Sequence, residues 1–421
     1  MTNANSPQSV PSSWRKRIKL MGPGLIAAAT GVGAGDLVAA LVAGTQFGFL
    51  LLWAIIIGSI IKYYLNEGVG RWQLATGKTI LQGWNSLGRW TLIYFGIYII
   101  LWGFVYGAAG TSSASLATTA MFPQLDLKAW AILHGVIAFL LVLSGRYQLF
   151  ERVMTVLTGL MFITVVGTAI IVFPHVFDLL SGVIPRIPTG SIMFVLGLIG
   201  GVGGSITIAS YGYWIREKNW VGPIWLSFMR LDAKVAYILT AIFTISLLIV
   251  GAEFLYGTGI IIQDEKGLIQ LSQLLGERFG EIVRWLFLLG FWSASFTSVL
   301  GVWNGVPYLF ADFIRHLRKK TWSHNQPITE KDPAYRTYLV WLTFPPMLLL
   351  FLGKPVGLII IYGVLGALFM PFLAITLLWL LNSKQVEKSY QNTLATNTIL
   401  ILSCILFIIL AGQEIVKIIF K

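Results

Sequence analysis

Thr30-Gly31-Val32-Gly33-Ala34-Gly35-Asp36 and Gly197-Leu198-Ile199-Gly200-Gly201-Val202-Gly203-Gly204-Ser205-Ile206-Thr207 are two glycine-rich interruptions of otherwise apolar stretches. Each glycine costs about 1 kcal/mol relative to alanine inside a helix. Three within five residues, or four within five, therefore mark places where a helix can open. For either cluster alone, close packing between membrane helices is the competing explanation, because small residues let backbones approach. Their placement favours opening: one lies in the first apolar stretch, the other in the sixth. Interrupted segments at matching positions of two five-helix halves point to an inverted-repeat transporter with a mid-membrane site. Such a break exposes N–H groups at one half-helix, which suit an anion, and carbonyls at the other, which suit a cation.

The rest of the chain fits a membrane. Its 421 residues are 56% hydrophobic and only 11% charged, with 16 Trp and 26 Phe, where a soluble chain carries about 25% charged residues. Apolar stretches long enough to cross about 30 Å of hydrocarbon recur at roughly 22–44, 47–66, 91–120, 127–145, 149–173, 190–214, 228–254, 282–312, 337–353, 356–382 and 394–413. With the N-terminus inside, the inner segments hold about 22 of the basic residues and the outer ones about eight. The expected organisation is one transmembrane domain: an inner tail 1–20, a first repeat 22–173, a second repeat 190–382 and an eleventh helix 394–413. The net charge of +13 then reports topology rather than a nucleic-acid partner. No cleaved signal peptide is expected, and Cys404, the single cysteine, forms no internal disulfide.

Asp36 is the acid placed inside a span at a break. A carboxylate there costs about 2.5–3.5 kcal/mol on insertion scales, so its default reading is functional. It serves as a cation ligand, a proton carrier, or an N-cap of the second half of the first helix. Carbonyls of the two breaks supply further oxygens, with Thr30 and Thr207. Tyr106, Thr111, Ser112, Ser113 and Ser115 in the third span, and Ser293, Ser295, Thr297, Ser298 and Asn304 in the eighth, bond mainly to helix backbone or to neighbours. His134 is expected to make an interhelical bond rather than relay protons.

The stretch Gly22-Pro23-Gly24-Leu25, then Ala43-Gly44-Thr45-Gln46-Phe47-Gly48 and Leu51-Leu52-Trp53, resembles the start of the Nramp metal-ion transporters. Arg71, Thr76-Gly77-Lys78, Pro185 with Pro188, Arg230-Leu231-Asp232 and Pro371-Phe372 extend the resemblance over about residues 20–415. The resemblance implies an all-α polytopic protein of the LeuT-type fold, with helices 1–5 and 6–10 as inverted repeats, helices 1 and 6 broken, and helix 11 appended. The functional motifs depart from the family's. The helix 1 pattern Asp-Pro-Gly-Asn reads Gly33-Ala34-Gly35-Asp36, so the first metal-binding acid is lost. The helix 6 pattern Met-Pro-His falls on Gly204-Ser205-Ile206. Helix 3 acids of the family's proton route fall on Phe104 and Gly107, and a helix 10 glutamine falls near Gly363.

Loss of the thioether removes the preference for soft metals. One carboxylate with carbonyls and hydroxyls suits a harder cation such as hydrated Mg²⁺ or Na⁺. Loss of the Met alone resembles the family's Mg²⁺-transporting relatives, although those keep the helix 1 Asp. The first expectation is therefore a secondary-active carrier of a small cation, a divalent metal harder than Mn²⁺ or Fe²⁺ such as Mg²⁺, without the usual proton route. Asp36 would be the metal ligand, and Thr30, Gly33, Ala34, Gly35, Gly203, Gly204, Ser205, Ile206, Thr207 and Gly363 would line the substrate. The alternative is a carrier of a small organic or anionic solute, coupled to Na⁺ or H⁺. An enzyme is not expected, because no Asp pair, Ser–His or Ser–Lys pair, or His/Glu cluster is placed mid-membrane. A sensor is a third class. No cofactor and no nucleic acid are expected; membrane lipid is, with the protein a monomer in the plasma or inner membrane and its C-terminus outside.

Overall fold

The computed structural model describes residues 21–145, 147–172, 176–258, 262, 265–318 and 328–419. Each of the eleven apolar stretches falls on helix. The first is split into α1 (Pro23–Gly31) and α2 (Ala34–Phe47). Pro23 opens α1 at a position where its fixed φ fits and its missing N–H is not needed. Then come α3 (Leu52–Thr76), the short α4 (Ile80–Leu87), α5 (Arg89–Met121) and α6 (Leu127–Leu143). A Thr79–Gln82 capping box starts α4, which lies between two of the apolar stretches. The fifth stretch is α7 (Tyr147–Met161), a π turn at Phe162–Val166, and α8 (Gly167–Val172).

After the small helix α9 (Val176–Ser181), the sixth stretch is split into α10 (Ile192–Gly201) and α11 (Thr207–Glu217). It is followed by α12 (Leu226–Leu255), α13 (Glu265–Phe279) and α14 (Glu281–Leu317), then α15 (Pro333–Thr343) with a 3₁₀ continuation Pro345–Leu352. Finally come α16 (Pro355–Leu381) and α17 (Leu394–Ile419). Among the described residues there is no strand.

The core positions the two split helices at its centre. α1 and α2 pack against α12, α10 packs against α16, and α14 lies along both α1 and α5. Six tryptophans, Trp72, Trp84, Trp102, Trp214, Trp225 and Trp303, are among the largest fully buried side chains. The outer surface is apolar where lipid would lie: Ile93, Ile97 and Leu101 stand exposed along α5 at four-residue spacing.

Charged residues are buried near the face where α1 begins, called proximal below. Glu67 and Arg71 of α3 pair at 3.0 Å, and Arg230 joins Glu67 at 2.8 Å. The Arg71 guanidinium also donates to the Tyr390 and Gln391 carbonyls at 3.1 and 2.8 Å and to Asn392 Oδ1 at 2.7 Å. These partners explain why α3 runs to Thr76, past the apolar stretch that ends near residue 66: its last turns bury charge against charge and carbonyl instead of meeting water.

Candidate substrate site at two helix breaks

Local geometry accounts for both interruptions. Val32 N–H still reaches the Ala28 carbonyl at 2.7 Å, and Gly33, at φ −103° and ψ −129°, takes the chain out of the helix. Past Gly201, Gly203 and Gly204 adopt φ of +70° and +86°, a region open to glycine at no steric cost. The breaks then meet backbone on backbone. A Cβ on Gly31 would run into the Gly203 carbonyl carbon and lie 2.6 Å from Gly203 Cα.

Side chains from four further helices close around the junction. A Cβ on Gly33 would overlap the Ser298 side chain of α14. Ser298 Oγ donates to the Thr30 carbonyl at 2.7 Å, so Tyr106 OH, 2.7 Å away, donates to Ser298. On the second break, Trp102 Nε1 donates to Ser205 Oγ at 3.1 Å and Tyr237 OH to the Gly203 carbonyl at 3.2 Å. Trp102 and Tyr106 stack nearly parallel at 4.8 Å, and Tyr362 of α16 stands edge-on to Tyr106 at 4.8 Å. The junction thus has an aromatic wall on one side.

Two hydroxyls are left over. Thr30 Oγ1, at the end of α1, and Thr207 Oγ1, at the start of α11, are buried without a hydrogen-bond partner among the described residues. Such a group costs about 1–3 kcal/mol, which a substrate oxygen, amine or cation would relieve. A third group is hidden in the basic count of the inner segments. Lys62, in the middle of α3, is fully buried, and its Nζ donates to the Gly200 carbonyl at 2.8 Å and to the Gly204 carbonyl. The signal that finds it is the one applied to Asp36: an ionisable residue inside a span is functional by default.

Ala34, Gly35 and Asp36 form the first turn of α2, and their side chains lie outside the described residues. Ser205 and Ile206 are fully buried in the second break. Gly363 packs on Gly197, a turn before that break: a Cβ on Gly363 would stand 3.1 Å from Gly197 Cα. Gly366 is the α16 glycine that reaches the break, where a Cβ would meet the Gly200 carbonyl and Ser205 Cβ, both at 3.1 Å. Phe104 lies against Trp341 at 5.8 Å, and Gly107 against the Leu342 carbonyl and Pro346. Both positions are used for packing. His134 bonds Trp130 carbonyl at 2.7 Å and accepts from Trp292 Nε1 at 2.9 Å, the interhelical bond expected of it. Among the described residues no three His, Cys, Asp or Glu come together.

The proximal end of α1 is tied down. Asp232 of α12, fully buried, accepts on Oδ2 from Gly24 N–H at 2.6 Å and Tyr211 OH at 3.0 Å. A cleft of about 650 Å³ lies beside it, lined in part by Leu25, Glu151, Thr155, Phe162 and Leu239.

The model of the family described as natural resistance-associated macrophage protein-like matches residues 24–417. An uncharacterized protein of Pasteurella multocida is 25% identical over 309 residues, 70% of either chain. The divalent metal cation transporter MntH of Staphylococcus saprophyticus is 23% identical over 420 residues, 94% of this chain and 91% of that one. Among solved structures, a manganese transporter mutant of Eremococcus coleocola superposes with a TM-score of 0.76 at 20% identity, over 96% of this chain and 88% of that one. MhsT in complex with L-phenylalanine superposes at 0.61 and 15% identity, over 92% and 97%. The fold is the LeuT-type fold expected from the sequence, and the chain belongs to the Nramp family of integral membrane transporters.

Proposed function

We propose that the chain is a secondary-active carrier whose substrate sits between the two breaks and is a small cation bound by hard oxygen donors. The observation that carries this reading is the pair of buried, unpartnered hydroxyls, Thr30 Oγ1 and Thr207 Oγ1, one on each break. With the carbonyls at the end of α1 and the carboxylate that the sequence offers at Asp36, they would make an oxygen donor set, which suits Mg²⁺ or Na⁺ above Mn²⁺ or Fe²⁺. Family membership and the relation to the divalent metal cation transporters MntH support a cation as cargo. The basic proximal segments support an N-terminus inside the cell, with each five-helix half as one inverted repeat. Flux into sealed proteoliposomes, with Mn²⁺, Mg²⁺, Ca²⁺ and Na⁺ tested in turn, decides the reading; no flux of any of them refutes it. Asp36→Asn is expected to abolish cation binding without loss of fold, and binding that survives that change returns Asp36 to a capping role.

A second reading, a small organic or anionic solute, is favoured by one observation: a resident ammonium, Lys62, already stands on the carbonyls of the second break, beside the Trp102–Tyr106 aromatic wall. A thermal-shift screen of amino acids and carboxylates, with and without Na⁺, tests it. Absence of any stabilising solute removes it.

A further inference from the structure

Lys62 lies eleven residues into α3, too far from the helix end for an ordinary snorkelling lysine. One turn earlier, Gly58 lets α3 approach α10, with Ile199 Cα 3.1 Å from where a Cβ would stand. That contact brings the lysine stem alongside the second break. Its ammonium then meets two carbonyls, Gly200 and Gly204, at the C-terminal end of a half-helix, where the peptide dipoles present their negative pole. Carbonyls at such an unwound end are the oxygens that a mobile cation would take.

We infer that Lys62 is a tethered cation: its ammonium occupies the carbonyl pole of the second break in place of a free ion. The inference rests on the break junction being the substrate site and deepens that reading. A mobile cation is left with the pole of the first break, at the end of α1.

The test is thermal stability of the purified full-length protein, read separately from flux. Lys62→Met vacates the pole, and its melting temperature is expected to rise saturably with Na⁺ or Mg²⁺ to an extent the wild type does not show. Lys62→Arg keeps charge and donors and is expected to fold and to show no added cation response. Lys62→Ala, lower in stability, is expected to be restored by ethylammonium and not by tetramethylammonium at equal ionic strength. A Lys62→Met protein as stable as wild type with no new cation response overturns the inference, as does failure of both Lys62→Arg to fold and ethylammonium to restore Lys62→Ala. Because the readout is stability, these outcomes stand whether or not the proteoliposomes show flux. Failure of the flux assay alone refutes the carrier reading and leaves the tethered cation in place.

Discussion

Asp232→Asn should loosen the first half-helix selectively. One carboxylate oxygen holds both Gly24 N–H and Tyr211 OH, while Oδ1 is buried without a partner among the described residues. The amide keeps the shape and an accepting oxygen but loses charge assistance, which takes a hydrogen bond from about 1.5–3 to about 1 kcal/mol. The NH₂ group takes the place of an Oδ1 that is already buried without a partner among the described residues, so that position adds no new unsatisfied group. Over the two bonds the loss, about 1–4 kcal/mol, raises opening of the α1 end by roughly 5- to 700-fold at 1.4 kcal/mol per decade. Amide hydrogen exchange measures this directly: protection across Gly24–Gly31 should fall by that factor, with the middle of α5 unchanged as internal reference. If the variant stays folded and α1 exchange rises less than about threefold, Asp232 is not what holds the half-helix, and the contact is incidental.

Gly203→Ala should cost about 2–5 kcal/mol, combining a left-handed φ of +70° with a Cβ against the Tyr237 ring. Gly159→Ala, in α7 with nothing within 4 Å, should gain up to about 1 kcal/mol; thermal unfolding compares them. Thr30→Val and Thr207→Val remove unpartnered hydroxyls, so each should stabilise the fold by about 1–3 kcal/mol while lowering substrate affinity tenfold or more, and unchanged flux would clear them of a binding role. Burial, then the nearby Glu217 charge, raises the Glu330 carboxyl above the ordinary glutamate range. The stability this group contributes is present below its unfolded pKa and lost as pH rises through the folded one. Glu330→Gln should therefore match wild type near pH 4 and melt higher at pH 7.5, and a difference independent of pH would refute the assignment.

Apolar length is enough to place helix on each of the eleven stretches, because a bilayer demands one continuous hydrophobic stretch per crossing. The breaks at 32–33 and 202–206 are readable for a similar reason: glycines so dense oppose helix whatever surrounds them. Pairing in space is not written in either signal. Glu67 and Arg71 fall past the apolar stretch that ends near residue 66, yet α3 carries them to Thr76 because Arg230 and the Tyr390–Asn392 segment meet them from far along the chain. Lys62 looks like one more inner-face basic residue, since only the approach of Gly58 to Ile199 shows where its stem leads. Gly363 and Gly366 sit on one helix, and only the packing of α16 on α10 tells which of them reaches the second break. The α13 helix has no apolar length to reveal it.

The Arg71 clasp has a consequence for the C-terminal part of the chain. Its acceptors, the Tyr390 and Gln391 carbonyls and Asn392 Oδ1, belong to the segment that leads into α17. A protein cut just before Tyr390 would retain the ten preceding apolar stretches and still strand a buried guanidinium with Glu67 as its remaining partner. Breaking up such a buried arrangement costs several kcal/mol, and the loss would fall on α3, the helix that carries Lys62. Shortening the chain at one end is thus expected to disturb the middle of the membrane, through a joint that touches neither break.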